Sequence, residues 1–344
     1  MSQFSLFPSA FKGQDTRLNA LGDPLQELNE IVNWNEFYPL LQQVHAKRNR
    51  KSNAGRKPLD EVMMFKVLVL QHHYNLSDQQ TEYQIEDRRS FRRFIGLHKD
   101  TRSPDEKTIH SFREKLTNKL ILPSLFSLLE QQIKQAGFIA RQGQLIDASI
   151  IPAPIQRNSR QENQTIKEGE QPQNWSKNKS RQKDTQAKWT SKNGKQYFGY
   201  KNHINVDNEH KIIRAYEVSS ANVHDSQVID KVLFSSDNKD IYADSAYRSK
   251  QIEDNLKEKG LRSRIHRKGS CNKPLTKREE LSNQLKSKTR VRVEHIFGSI
   301  KGTMNGRLIR TIGIKRATTK IGLTNLVYNM KRFAYLSRIS VSID

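Results

Sequence analysis

Three acidic residues, Asp147, Asp244 and Glu294, each border a run of apolar residues that predicts burial. A buried carboxylate is costly unless a cation or a metal ion compensates its charge. Carboxylate oxygens suit Mg²⁺ or Mn²⁺, and two such ions about 3.5 to 4 Å apart can catalyse phosphoryl transfer. One interpretation of the three carboxylates is therefore a site for two Mg²⁺ or Mn²⁺ ions.

Ordinary structural roles would also explain these residues when each is taken alone. Asp244 could cap a short helix that starts at the next residue, and Arg290 with Glu294 could form a surface ion pair. However, Arg290, Glu294, Phe297 and Lys301 follow at intervals of four, three and four, so they line one helix face. Arg290 and Lys301 stand on either side of Glu294 along this face. This arrangement favours Glu294 as a metal ligand, with the two cations in contact with neighbouring phosphates.

Basic residues are in large excess, which narrows the class of partner. The 344 residues carry a formal net charge of +24, and residues 257–320 alone hold 19 Lys and Arg against four Glu. Residues 1–150 hold 21 basic and 17 acidic side chains, so most of the excess lies after residue 150. Such an excess repels itself unless a polyanion is bound, and the expected partner is DNA.

Several classes of protein are disfavoured by what the sequence lacks. A single cysteine, Cys271, cannot form an internal disulfide or a thiolate zinc site alone, and no two histidines stand at ligand spacing beside it. The most apolar run, 62–70, is shorter than the roughly 20 residues of a membrane span. We expect a cytoplasmic protein without a membrane partner.

The elements before residue 140 are predicted to be helical. Ser77 and Ser103 each stand three residues before Gln or Glu, as helix-capping residues do, and Pro104 would begin the second helix. Apolar residues then recur at spacings of three and four until Gly137. We expect an N-terminal arm and helix over 1–57 and an all-α domain over 58–140.

The period changes after Gly143, where alternating residues predict a strand that carries Asp147. Further strands are expected at 197–206, 211–218, 241–243 and 261–266, with a helix at 225–233 and a long basic helical stretch at the end. The polar segment 156–195 is expected to be a basic loop that is mobile until it meets a ligand. The fold class is therefore α/β, a mixed sheet flanked by helices over 141–335.

Two basic segments allow either a DNA-binding or a neutral interpretation. The 156–195 loop mixes tryptophans with lysines, which suits a segment that follows phosphates but also a solvated loop. Gly55 to Pro58, which includes Arg56 and Lys57, could read the DNA minor groove or serve as a linker.

Several separated motifs, taken together with the predicted elements, make the sequence resemble the DDE transposases of bacterial insertion sequences. The group it resembles has a helical N-terminal domain and a ribonuclease-H-like catalytic domain. The resemblance covers about residues 55–330. It rests on separated motifs in the right order, among them Gly-Arg-Lys-Pro-Leu at 55–59, Ile-Asp-Ala-Ser at 146–149, Gly-Tyr-Lys-Asn-His at 199–203, Ala-Asn-Val-His-Asp-Ser at 221–226 and Ala-Asp-Ser-Ala-Tyr at 243–247.

The resemblance implies that Asp147, Asp244 and Glu294 are the catalytic, metal-binding residues, on the first strand, just after the fourth strand and on a later helix. Arg290 and Lys301 match the spacing of the family's signature around the third acid, whereas Ser287 stands where the signature has Tyr. Roles in binding DNA, or in supporting the site from behind, are implied for residues in or beside the motifs: Lys201, His203, Tyr247 and Arg248.

The implied activity is a two-metal-ion reaction with Mg²⁺ or Mn²⁺. Water would free a 3′-hydroxyl at each end of the element, and that hydroxyl would attack target DNA. The implied partners are the terminal inverted repeats, target DNA and further copies of the chain in a synaptic complex. Two alternatives stay open, a catalytically inactive DNA-binding repressor derived from a transposase and a DDE-type nuclease without strand transfer.

Overall fold

A computed structural model describes residues 16–45, 59–98, 101–234, 237–270 and 273–341. The chain forms two compact units. The first contains the described residues up to Ala136 and those from Met330 onward, and the second spans Gly137–Asn329. The predicted functional boundaries at residues 57 and 140 stay predictions.

The first unit is helical, as predicted. Its helices in the described part are α1 (Pro24–Ile31), α2 (Tyr38–Leu41), α3 (Glu61–Tyr74), α4 (Asp78–Asp87), α5 (Arg89–Ile95), α6 (Glu106–Lys119) and α7 (Leu122–Gln135). The apolar run in α3 is buried, and Phe65 packs there against Trp34 and Phe37, with ring centroids 6.1 and 5.3 Å away. Aromatic packing of this kind holds the helices around one core.

One helix start was predicted correctly and the other was wrong. Ser77 caps α4 in a reciprocal capping box with Gln80. The cap of α6 is Asp105, whose side chain accepts from the Thr108 N–H at 2.7 Å, so Pro104 lies outside the helix. Ser103 is buried instead, and both its N–H and its hydroxyl bond to Glu86, so the hydroxyl is engaged away from the start of the helix.

The second unit is built on a six-stranded mixed sheet. Its strands are β1 (Gln144–Pro152), β2 (Lys188–Lys192), β3 (Lys195–Asp207), β4 (Ile213–Ser220), β5 (Asp240–Tyr242) and β6 (Arg262–Ser263). The order is β4-β3-β1-β5-β6, antiparallel between the first three and parallel between the last three, with β2 paired to the start of β3. The predicted α/β fold class, a mixed sheet flanked by helices and preceded by a helical region, is confirmed.

Helices cover this sheet. They are α8 (Arg160–Lys167), α9 (Lys177–Gln182), α10 (Ile229–Val232), α11 (Lys250–Glu258), α12 (Lys277–Lys301) and the part of α13 (Ile314–Val341) that precedes Met330. Side chains from β1, β5, α10 and α11 share one buried apolar cluster, and side chains from β3, β4 and α13 share a second. The described helices include none that is long and apolar enough to cross a membrane.

The loop predicted at 156–195 was wrong, because this segment forms α8, α9 and β2, while its mobility before a ligand binds stays a prediction. Ser159 caps α8, and the buried Glu162 accepts from the Trp175 indole N–H at 2.7 Å and from Lys179 at 2.5 Å. These bonds give a polar segment its own small core. The final strand predicted at 261–266 is also shorter than expected, since only Arg262 and Ser263 pair with β5.

Candidate active site

The register of β1 and β5 brings Asp147 and Asp244 side by side. The two strands run parallel, with Leu145 paired to Tyr242. Asp147 lies on β1 two residues beyond this pair, and Asp244 comes two residues after Tyr242, just past the end of β5. The charge of Asp244 raises the pKa of Asp147, so the two carboxylates are neighbours.

Burial dominates the electrostatics of Asp147. It raises the pKa of the carboxyl to about 6, and the nearby charge of Asp244 adds to the rise. The Arg290 guanidinium opposes it, with Nη2 3.6 Å from Asp147 Oδ2. The Ala148 N–H also donates to Asp147 Oδ1 at 2.8 Å. Asp147 is thus a half-buried carboxylate whose charge the nearby cation only partly offsets.

Asp244 combines two positions that the sequence left as alternatives. Its side chain caps a 3₁₀ turn at Ser245–Tyr247 by accepting from the Ala246 N–H at 2.8 Å. The same carboxylate stands beside Asp147, as the pKa of Asp147 records. The cap fixes one carboxylate oxygen and leaves the other for a further partner.

Helix α12 packs against β1 and β5 through a buried stripe of Val293, Ile296 and Ile300. The stripe turns Arg290 toward Asp147, while Glu294, one turn further on, is exposed. At Ser287, where the family signature has Tyr, the hydroxyl lies 3.4 Å from His266 Nε2.

A second cation near Asp147 comes from the hairpin of β2 and β3. Asn193 and Gly194 form its two-residue turn, both with positive φ, which brings Lys192 to the tip. The charge of Lys192 lowers the pKa of Asp147 and of Lys301, whose own burial is the larger cause of its lowered pKa. Arg290 and Lys192 thus lie near Asp147, and Lys301 lies near Lys192; these three residues are called the cationic rim.

Lys201 and His203 lie together on β3, on the face of the sheet opposite Asp147. The Lys201 ammonium donates to Asp225 Oδ1 and to the Val223 carbonyl, each at 2.8 Å. His203 is fully buried with Nε2 2.8 Å from Ser219 Oγ, and burial lowers its pKa to about 4. The structure thus places both residues behind the carboxylates, and their role as DNA contacts stays a prediction.

The remaining predicted residues have three different settings. Tyr247 is 1% exposed, two strands away from β3 on the turn after Asp244. Arg248 contacts Glu253 at 3.4 Å and the Ile265 carbonyl at 3.3 Å. Arg56 and Lys57 lie outside the described residues, so the minor-groove prediction for them is untested.

The carboxylate pair has the donor chemistry of a Mg²⁺ or Mn²⁺ site. Asp147 and Asp244 offer hard oxygen atoms. Burial and the charge of Asp244 both disfavour the ionised form of Asp147, and a bound divalent cation would compensate for both. Within the described residues no three His, Cys, Asp or Glu side chains come close enough to hold a metal ion. The structure therefore brings together two of the three predicted ligands.

Sequence reasoning missed Lys192 and the ion pair of Asp225 with Lys201. The Asn-Gly pair at 193–194 was a usable signal, since it is the strongest short sequence sign of a two-residue hairpin. For Asp225 the motif at 221–226 was visible, but its ion pair with Lys201 joins residues 24 positions apart. No local pattern predicts such a contact.

Comparison with known proteins gives two family matches and one structural neighbour. Residues 140–330 match the Transposase DDE domain, and residues 14–115 match the Transposase domain (DUF772). The chain is similar to the piggyBac transposase in a cryo-EM synaptic complex with hairpin DNA, at 12% identity and a TM-score of 0.46, over 94% of this chain and 76% of that one. The DDE-domain match spans more than half of the chain. The chain therefore belongs to the DDE-domain family of DNA transposases.

Proposed function

We propose that this transposase cleaves the ends of its own insertion sequence and joins the freed 3′-hydroxyl to target DNA. The proposed catalytic residues are Asp147, Asp244 and Glu294. One observation carries the proposal, the closeness of Asp147 on β1 to Asp244 just after the parallel strand β5, with the Arg290 guanidinium 3.6 Å from Asp147. Carboxylates compensated by so few charges, next to groups that attract phosphate, suit phosphoryl transfer between DNA strands.

The three carboxylates would hold two Mg²⁺ or Mn²⁺ ions, which supply activation of the attacking oxygen and stabilisation of the leaving one. The protein's own contribution is position and charge. Asp147 is held on β1 and Asp244 at the cap of the turn after β5, and hydrogen bonds from the Ala148 and Ala246 N–H groups orient their side chains. Glu294 would join them from α12, one turn beyond Arg290.

The cationic rim would bind the phosphates beside the scissile bond. Arg290 offers a planar guanidinium, while Lys192 on β2 and Lys301 at the end of the same helix add point charges. The excess of basic residues over 257–320 would attract the rest of the duplex. The proposed substrates are the terminal inverted repeats and a target duplex, held by several copies of the chain in a synaptic complex.

The proposal is tested with DNA taken from the two flanks of the coding sequence, where the inverted repeats of an insertion sequence lie. Purified protein should nick these ends in Mg²⁺ or Mn²⁺ but not in EDTA. Pre-cut ends should then join to a target plasmid, and Asp147→Asn should abolish both steps while it keeps binding in a gel shift. Nicking by Asp147→Asn at the wild-type rate would contradict the assignment.

The first alternative is a DNA-binding repressor without catalysis. It is favoured by the exposure of Glu294 and by the lack of a three-ligand cluster in the described residues. Specific binding to the ends, without metal-dependent nicking by the wild type, would select it. Nicking without joining of pre-cut ends would instead select a nuclease.

A further inference from the structure

The backbone beyond β6 continues along β5 toward the proposed site. The Arg264 N–H donates to the Ile241 carbonyl at 2.8 Å. Two residues later, the His266 N–H donates to the Ala243 carbonyl at 3.2 Å, and Ala243 is the residue before Asp244. These backbone bonds therefore hold His266, whose side chain is half-buried, beside the end of β5.

The first half of α12 packs on the same stretch of backbone. Asn283 accepts from the Arg267 N–H at 3.0 Å and donates to the carbonyl of the same residue at 2.9 Å. The Ser287 hydroxyl lies 3.4 Å from His266 Nε2. Asn283, Ser287 and Arg290 follow at intervals of four and three, so they lie on one helix face. His266 therefore contacts this face one turn before Arg290, the residue that reaches the first catalytic aspartate.

Positive charge is concentrated at the residue before His266. The Lys286 ammonium and the Arg248 guanidinium both donate to the Ile265 carbonyl, at 3.1 and 3.3 Å, so the two charged groups lie close together. Arg248 is also paired with Glu253 at 3.4 Å, whereas Lys286 forms no ion pair with a carboxylate in the described part of the chain. A neutral carbonyl offsets little of a cation's charge, so the two cations are incompletely compensated.

The electrostatics of Lys286 agree with this arrangement. Burial is the largest cause that lowers its pKa, and the charge of Arg248 is the second. Arg267 and Arg264 lower it further, and Glu253 opposes them. An ammonium group can donate three hydrogen bonds, and the backbone carbonyl accepts one of them. An anion at this position would supply both the missing negative charge and further acceptors.

We propose that Lys286, the His266 ring and the Ser287 hydroxyl form a second phosphate-binding subsite, which holds the backbone of the DNA strand beside the scissile bond. Lys286 lies four residues before Arg290, about 6 Å along the helix axis, so the subsite would take a phosphate next to those bound by the cationic rim. A lysine point charge with polar side chains beside it suits a phosphate oxygen. This inference rests on the proposed cleavage of DNA and names a further contact to that substrate.

The test measures binding of an end duplex to the full chain in EDTA, so that it does not depend on cleavage. Lys286→Gln is compared with Lys259→Gln, which removes the same charge from a lysine bonded to Asp230 at 2.7 Å. Each phosphate contact adds about 0.9 to the magnitude of the slope of log K against log salt concentration. Lys286→Gln should therefore lower this magnitude by about 0.9, while Lys259→Gln keeps the wild-type slope. Lys286→Arg keeps the charge and should restore most of the slope.

A set of modified end duplexes locates the contacted phosphate. In each duplex one phosphate near the scissile bond is replaced by an uncharged methylphosphonate. At one position next to the scissile phosphate, the replacement should weaken binding by the wild type without weakening binding by Lys286→Gln any further. Thermal unfolding shows whether each variant keeps its fold. If Lys286→Gln does not fold, the same cycle is measured with Ser287→Ala, which removes only one donor.

Contrary outcomes separate the subsite from the proposed function. Equal slopes for Lys286→Gln and Lys259→Gln, or losses that add at every methylphosphonate position, would overturn the subsite. Nicking of the same ends by the wild type in Mg²⁺ would then leave the proposed function standing. Failure of the wild type both to bind and to nick the ends would overturn the proposed function, and the subsite with it.

Discussion

Among the described residues, the sheet unit buries more polar and charged side chains than the helical unit does. The core of the helical unit is mainly aliphatic and aromatic, with Trp34, Phe37, Phe65 and Phe94 in mutual contact. The sheet unit buries a set of polar side chains, among them Gln144, Asp184, Asn202, His203, Asn205, Asp207, Arg214, Asn325 and Asn329. Many of them bond to strands of the sheet or to α13, as when Asn325 and Asn202 donate to each other.

This difference separates two tasks. Apolar packing tolerates many shapes, so it stabilises a helical unit without fixing atoms to a fraction of an ångström. Buried polar bonds are directional and costly to leave unmade, so they hold strands in one register. A register error of one residue would turn Asp147 to the other face of the sheet. The buried polar bonds of the sheet unit therefore suit its task, which is to hold the strand that carries Asp147 in one register.

The largest stability effect should follow from breaking the buried ion pair of the sheet unit. Arg214 Nε donates to Asp207 Oδ2 at 2.9 Å, and both side chains are fully buried. Arg214→Met leaves the Asp207 charge without this partner and should cost about 3 to 5 kcal/mol in urea unfolding. The double change with Asp207→Leu is the control, since it removes the orphaned charge and should recover much of the loss. No recovery would mean that the pair's packing, rather than its charge, matters.

A change of shape in the helical core should cost less. Phe65 is fully buried against Trp34 and Phe37. Phe65→Leu keeps an apolar side chain and should lower the free energy of unfolding by about 1 to 2 kcal/mol, without effect on DNA cleavage at 25 °C. A loss as large as that of Arg214→Met would contradict the contrast between the two interiors.

Asp147→Asn should move stability in the opposite direction. The pKa of Asp147 in the folded protein, about 6, lies above the ordinary value of 3.8. The contribution of Asp147 to the free energy of unfolding is therefore fully present below pH 3.8 and is lost as the pH rises through 6. At pH 7.5 in EDTA the variant should therefore be more stable than the wild type, by about 1 kcal/mol after screening of its partly exposed side chain. The comparison at pH 3.5 is the control, because the gain should vanish there.

The smallest effect concerns a histidine of the helical unit. Burial, helped by the charge of Lys331, lowers the pKa of His73 to about 4 from 6.5. The unfolded chain binds this proton more readily, so the stability that neutral His73 allows is present above pH 6.5 and is lost toward pH 4. His73→Gln should reduce this loss of stability at low pH by about 1 kcal/mol. The measurement is the free energy of opening of the α3 amides, obtained from hydrogen exchange. An unchanged pH profile would show that His73 does not limit acid stability.

Much of the fold was predictable from local pattern. Alternation around Asp147 predicted β1, the three and four spacing predicted the helical unit, and the motif order predicted the sheet. The segment 156–195 was not predictable by composition, because its order depends on one buried acid, Glu162, that binds a tryptophan and a lysine distant in sequence. Composition records how polar a segment is but not which polar groups satisfy each other.

The site was predictable to a similar extent. The stripe of α12 correctly indicated that Arg290 and Glu294 share a helix, and the structure adds the contact of Arg290 with Asp147. The setting of Lys201 and His203 behind the sheet depends on strand pairing, which no spacing within one segment reveals.

The central claim is that Asp147, Asp244 and Glu294 act together, and Glu294 tests it most directly because its side chain is exposed. Initial rates of Mg²⁺-dependent nicking at the element's ends should be compared for the wild type, Glu294→Gln and Glu280→Gln. Glu280 is a matched control, an exposed glutamate near the start of the same helix. We predict that Glu294→Gln reduces nicking at least about 1,000-fold with unchanged end binding, as loss of a metal ligand should, while Glu280→Gln nicks at the wild-type rate. Equal rates for the two variants would contradict the account.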